Sequence, residues 1–264
     1  MNAIRCVLVA CAAASISSLA TAVEAGAETS AWHTSVGFKL WSNDWSSWDV
    51  SRVQSGGGAF DVLTEKASDH ALSVIPVLSV RRGRWIIAAS HMTSTHYTLR
   101  NALGALEGTR SETDVNVGAD LVPGLALIVG YKQLTQDAGG RFQWKGPTLA
   151  VNASLPFGSG WALYGTYGLG ALKLTLPATD LLGRDKLPAM YSLSEWGLAR
   201  SFGRSDSAVS PSLVLALGYR AQSVKTRDYA LLSQPVGGGA VAVYGTDTLR
   251  DFTQGFTLSL IGSF

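Results

Sequence analysis

Thr253-Gln254-Gly255-Phe256-Thr257-Leu258-Ser259-Leu260-Ile261-Gly262-Ser263-Phe264 closes the chain and decides the reading of its fold. Phe256, Leu258, Leu260, Gly262 and Phe264 share one face, continued upstream by Phe252 and Gln254. Thr253, Gly255, Thr257, Ser259 and Ser263 share the other, interrupted only by Ile261. Alternation with a period of two is the signature of a strand. An apolar row backed by small polar groups fits a strand with hydrocarbon on one side and a polar lumen on the other.

Nine more segments repeat this pattern over about ten residues each, the length a tilted spanning strand requires. Ala31–Trp41 sets Trp32, Thr34, Val36, Phe38 and Leu40 against His33, Ser35, Gly37 and Lys39. Ala71–Val80 carries Leu72, Val74, Pro76, Leu78 and Val80 outward, and Pro76, which donates no ladder bond, predicts a bulge. Trp85–Met92 follows a tight turn at Arg81–Arg84. Val115, Val117, Ala119 and Leu121 alternate with Asp114, Asn116, Gly118 and Asp120 before the Pro123-Gly124 turn. Leu125–Lys132, Thr148–Leu155, Trp161–Leu169, Ser192–Arg200 and Ser212–Arg220 supply the rest, with Lys132, Glu195 and Arg220 on inward faces.

The connections alternate in length. Those after the second, fourth, sixth and eighth segments are short. Ser42–His70, Thr93–Thr113, Leu134–Gln143, Leu172–Tyr191 and Gln222–Asp251 are mostly long and read as loops. This predicts an all-β fold, an antiparallel up-and-down transmembrane barrel of about ten strands in one domain, residues 23–264. With an even strand number both termini lie on one side, expected to be the periplasm. A strand ending in Phe264 closely resembles the C-terminal assembly signal of Gram-negative outer-membrane β-barrel proteins. That resemblance implies an outer-membrane location, with outer-membrane lipid and the barrel-assembly machinery as partners.

The beginning of the chain agrees. Met1–Arg5 is basic, Cys6–Ala14 is apolar, and small residues follow, which reads as a secretory signal over residues 1–22. Cleavage is expected after Ala22, with Ala25 and Ala27 as alternatives. Leu8-Val9-Ala10-Cys11 also matches a lipobox, on an apolar stretch shorter than the roughly seven residues expected of such a region. Cys6 and Cys11 both leave with this segment, so no thiol or disulfide chemistry is expected of the mature chain. Removing Arg5 leaves 20 basic and 19 acidic residues, a net charge of +1 with no nucleic-acid signature. Hydrophobic residues make up 47% of the chain without an apolar run long enough for a spanning helix.

The chemistry is sparser. Lys39, Asp114, Asp120, Lys132, Glu195 and Arg220 are the candidate lumen-lining charges among mostly small inward residues. Small linings leave room for a narrow pore for small solutes. Charges that pair across the lumen would instead plug it, because isolated buried charges are costly. A non-conducting structural or adhesive protein acting through its outer loops is therefore the alternative. His91 and His96, five apart on one continuous strand, would face opposite ways and could not chelate together. No metal-ligand cluster, nucleophile motif or phosphate loop is found, and no cofactor is implied.

Ten strands also resemble the omptin outer-membrane proteases, which use paired aspartates and an Asp–His couple at the extracellular rim. Asp69-His70 stands at such a rim with Asp44, Asp49 and Asp61, but the two residues are adjacent and an Asp-x-His couple is missing. His91-Met92-Thr93-Ser94 bears a faint similarity to the outer-membrane lipid A deacylases, with a different spacing. Trp41, Trp45 and Trp48, ahead of Gly56-Gly57-Gly58, suit an aromatic belt, a surface helix or a sticky patch. Gly237-Gly238-Gly239 reads as a flexible loop.

Overall fold

The computed structural model describes residues 32–55, 58–101, 104–180, 182–202, 211–232 and 244–264. The signal segment with its cleavage alternatives, Gly56-Gly57 and Gly237–Gly239 lie outside these residues. Eleven antiparallel strands form one sheet: β1 (Trp32–Ser55), β2 (Gly58–Ser68), β3 (Ala71–Arg82), β4 (Trp85–Asn101), β5 (Gly104–Val122), β6 (Leu125–Asp137), β7 (Arg141–Phe157), β8 (Trp161–Thr175), β9 (Lys186–Phe202), β10 (Ser212–Leu232) and β11 (Tyr244–Ser263). Each strand pairs with the next except β2 and β3, which share β1 and β4 as neighbours, and β11 returns to β1 from Ser35–Ser263 to Ser51–Asp247, closing the ring. At the β1–β11 seam closure leaves no backbone edge for hydrocarbon to meet.

β2 and β3 both pair with β1, β2 along Ser46–Ser55 and β3 along Trp32–Asn43. They lie end to end, interrupted only at Asp69-His70, so the eleven strands make ten staves. All ten segments anticipated from the sequence are strands. The bulge expected at Pro76 is absent, because Pro76 stays in register opposite Phe38. Its missing N–H falls just beyond Val77–Ser90, where the ladder to β4 stops. The register instead shifts in β4 between Met92 and Thr95.

The five expected loops need a larger correction. Ser42–His70 is the upper half of β1 together with β2, and Thr93–Thr113 is mostly β4 and β5. Much of Leu134–Gln143, Leu172–Tyr191 and Gln222–Asp251 is strand as well. The staves run well past the length a membrane requires, and the reason lies on their outer faces. Near the short turns the outward residues are apolar, as in Val115, Val117 and Leu121, or Leu213, Leu215 and Leu217. Higher up the same face carries Thr109, Ser111 and Thr113 on β5, and Gln133 and Thr135 on β6. An apolar belt below and a polar collar above is a wall that leaves the membrane without ending.

Aromatic rings mark both margins of the belt. Trp196, Tyr219 and Phe256 form a row on β9–β11 with centroids 6.1 and 5.4 Å apart. At the turn end, Arg82 lies 5.2 Å over Trp32, Arg84 5.4 Å over Trp85 and Arg200 5.1 Å over Trp161. Rings at the headgroup level with cations beside them are how membrane interfaces are anchored.

Leu215 stands within the belt and Ser154 faces a filled interior at 4% exposure. Leu215→Arg should therefore destabilise by about 2–4 kcal/mol, as a lipid-facing cation does in such barrels. Ser154→Arg should cost at least as much, since the interior lacks space for a guanidinium. Refolding titrations in which Ser154→Arg is silent would mean a roomier lumen.

Candidate functional site: the filled lumen

Inward residues on the staves converge on one ionic cluster. Lys39 on β1 donates from Nζ to both carboxylate oxygens of Glu195 on β9, at 2.5 and 2.8 Å. Glu112 on β5 accepts from Arg110 Nη2 at 2.8 Å and from Lys132 Nζ at 2.7 Å. Lys132 on β6 also reaches Asp114 at 3.1 Å. Arg220 on β10 joins the two halves, 3.6 Å from Glu195 and 3.7 Å from Glu112. Its guanidinium lies 4.9 Å over the Trp41 ring, and Lys132 lies 4.9 Å over Tyr191.

Neutral groups complete the cluster. Gln222 donates to Glu112 and accepts from Arg220 and Tyr191, each at 3.1 Å. Tyr164 donates to Glu195 at 3.5 Å, and Arg110 donates to Thr253 at 2.5 Å. Four cations thus share three carboxylates with little water contact. Desolvation on this scale is tolerated only where each charge has close partners.

Apolar layers pack on both sides. Toward the short turns lie Val77, Ile86, Ile128 and Val214, with Ile75 and Met92 on the rungs of Lys39 and Glu112. Toward the hairpins, Leu134, Trp144, Leu172, Leu174 and Leu187 form a second layer, with Trp45, Tyr97 and Leu99 beside it. A cavity of about 10 Å³ beside Asp114, Asn116, Thr148 and Tyr191 has room for about one water molecule.

Five of the six candidate charges, Lys39, Asp114, Lys132, Glu195 and Arg220, meet in this cluster. Asp120 does not. It pairs with Arg81 near the turn end, half-buried and next to a register shift at Asp120/Val122. Arg110 and Glu112, the centre of the network, fell within an expected loop. Continuing the Asp114–Asn116 parity upstream would have placed both on the inner face.

Trp41 and Trp45 are also inward, 0% and 2% exposed, rather than in a belt or on a surface helix. Trp45 donates from its indole to Asp251 at 3.0 Å, while Trp48 lies outside, 6.4 Å from Phe252. The β4 bulge turns both His91 and His96 outward, which corrects the opposed faces expected of a continuous strand. His91 Nδ1 lies 2.9 Å from Thr113 Oγ1. His70 pairs with Asp44 on the exposed outer wall, and Asp69 accepts from Arg100 at 2.9 Å. The side chains of Asp49 and Asp61 lie outside the described residues. No group of three or more potential metal ligands occurs among the described residues.

No family model matches this chain, and no curated protein matches it. Solved structures do. The outer-membrane protease OmpT of Escherichia coli shares 12% identity over 92% of this chain and 100% of its own, with a TM-score of 0.49. The Pseudomonas putida toluene transporter TodX shares 10% over 94% and 92%, with a TM-score of 0.33. CymD, a monoaromatic hydrocarbon channel, shares 10% over 86% and 88%, with a TM-score of 0.25. A protease and two transport proteins differ in activity, and likeness at this level speaks to architecture alone. The chain's own strand pairing makes it an all-β up-and-down barrel.

Proposed function

We propose that this protein is a closed outer-membrane barrel, with both termini in the periplasm, that acts through its outward wall and hairpin ends rather than by conducting solutes. The observation that carries this reading is the filled lumen, where a paired ionic cluster is held between two apolar layers. Planar-bilayer recording of the refolded protein tests it. Closed, it should give no stepwise conductance at any voltage. Regular steps would establish the narrow-pore reading, and Lys132→Gln should then shift selectivity toward cations, since local charge sets ion preference in a narrow passage.

The pore reading has support of its own. Both amide atoms of Asn152, the Asn116 amide nitrogen and the hydroxyls of Ser154 and Ser259 are buried without protein partners. Water entering from the turn end would wet them. The apolar layer of Ile75, Val77, Ile86 and Ile128 weighs against a continuous path.

Phe264 exchanges backbone hydrogen bonds with Thr34 at 3.0 and 2.8 Å, and its ring is exposed. Losing two bonds at a frayed end would cost about 1–3 kcal/mol at most. We expect deletion of Phe264 to lower outer-membrane yield severely in cells, well beyond the effect of Phe38→Ala, because the residue is read during insertion. Equal yields for the two variants would remove the assembly-signal reading.

A further inference from the structure

We infer that the outer wall of β7 and β8 carries a binding site for the phosphate of an anionic lipid headgroup, centred on Lys145 and Lys173. The two residues are direct cross-strand partners, between Trp144–Leu174 on the interior face and the lipid-facing rows below. Both side chains point outward, away from the lumen. Two like charges in direct opposition repel each other, and sheets ordinarily avoid the arrangement. Neither lysine has an ion pair or hydrogen bond among the described residues. Gln133 is the partner of Lys145 on the other side, and Pro188 that of Lys173, so no carboxylate stands on the adjacent rungs. The nearest outward carboxylate on these staves, Asp137, lies higher and faces Arg141.

Depth gives the pair its meaning. Just below it on the same outer face are Tyr131, Pro147 and Leu169, the upper margin of the apolar belt. Two ammonium groups at that height stand where the headgroup phosphates of a leaflet lie. A phosphate accepts several charge-assisted hydrogen bonds at once, and its negative charge turns the mutual repulsion into a shared attraction. Lys225 and Arg250 are also direct cross-strand neighbours, on β10 and β11 above Tyr219 and Phe256. The outward row on β1 at similar height carries Asp44 instead.

The site rests on the membrane embedding proposed above and is independent of whether the lumen conducts. Its test uses the whole refolded protein in neutral detergent, with heat-shifted gel mobility as a separate check of folding. Native mass spectrometry would then compare retention of a phosphorylated glycolipid, its dephosphorylated form, and a zwitterionic phospholipid. Wild type should retain the phosphorylated form selectively. Lys173→Glu, which places a carboxylate opposite Lys145, should fold at least as well and bind that lipid about tenfold more weakly, the scale of one or two charge-assisted bonds lost. Lys186→Gln, farther up the wall, should leave retention unchanged. Equal retention of the phosphorylated and dephosphorylated lipids, or undiminished binding by folded Lys173→Glu, would overturn the site. Displacement by inorganic phosphate at concentrations comparable to the lipid would overturn the lipid as its source.

Discussion

Glu112→Ala should be the most destabilising single change in the lumen, by about 3–5 kcal/mol, the usual result of removing one partner from a buried ionic cluster. Glu112 accepts from Arg110, Lys132 and Gln222 and lies 3.7 Å from Arg220. Its loss leaves those cations sharing Asp114 and Glu195 in a largely dry interior. Glu112→Gln should cost less, because an amide oxygen still accepts hydrogen bonds although the charge is gone. Denaturant unfolding in vesicles, followed by tryptophan fluorescence, measures both. A Glu112→Ala loss below about 1 kcal/mol would show that solvent already reaches the cluster, as surface pairs of that worth do.

The second large effect is expected at the seam. Gly37 on β1 faces β11, and a Cβ there would overlap the Leu260 carbonyl oxygen and the side chain and Cα of Ile261. Those atoms belong to the strand that closes the ring, with Gly37 paired to Ile261. Relief would require the two strands to separate where closure protects backbone groups from hydrocarbon. Gly37→Val should therefore cost about 3 kcal/mol or more and prevent formation of the heat-modifiable species. Gly158→Val is the control, since nothing lies within 4 Å of a Cβ there, although its φ of +60° carries a local penalty. If Gly37→Val refolds with normal yield, the seam is looser than this packing implies.

The lower half of the barrel was legible because its two faces differ in polarity. Leu213, Leu215 and Leu217 against Val214, Ala216 and Gly218 still reads as a strand, since the outer row is large and the inner row is small. The upper half was not. Thr109, Ser111 and Thr113 face out while Arg110 and Glu112 face in, so every residue is polar and a hydropathy period of two has nothing to register. Such a stretch resembles a loop in composition although its backbone is paired with β6 along Thr109–Thr113 and with β4 except at the bulge. The ionic cluster sits at this transition, which is why five of its seven charged residues were found from sequence parity and its centre, Arg110 and Glu112, was missed. The histidine error has a different origin. A single extra residue at Met92–Thr95 reverses parity for the rest of β4, bringing Tyr97 and Leu99 inward, and neither position carries a glycine or proline to announce it.

The collar also sets how far the molecule stands above its lipid. β5 continues from Val115 at the top of the belt to Gly104 at its tip. At about 3.3 Å per residue and a tilt of about 45°, that is roughly 25 Å of paired wall. With the hairpins outward as proposed above, a paired wall of this height would lift their tips clear of the headgroups and into any sugar layer that covers them. In the orientation proposed above, with both termini periplasmic, a phage or antibody approaching the cell would meet those tips first, while the lipid-facing staves stayed out of its reach.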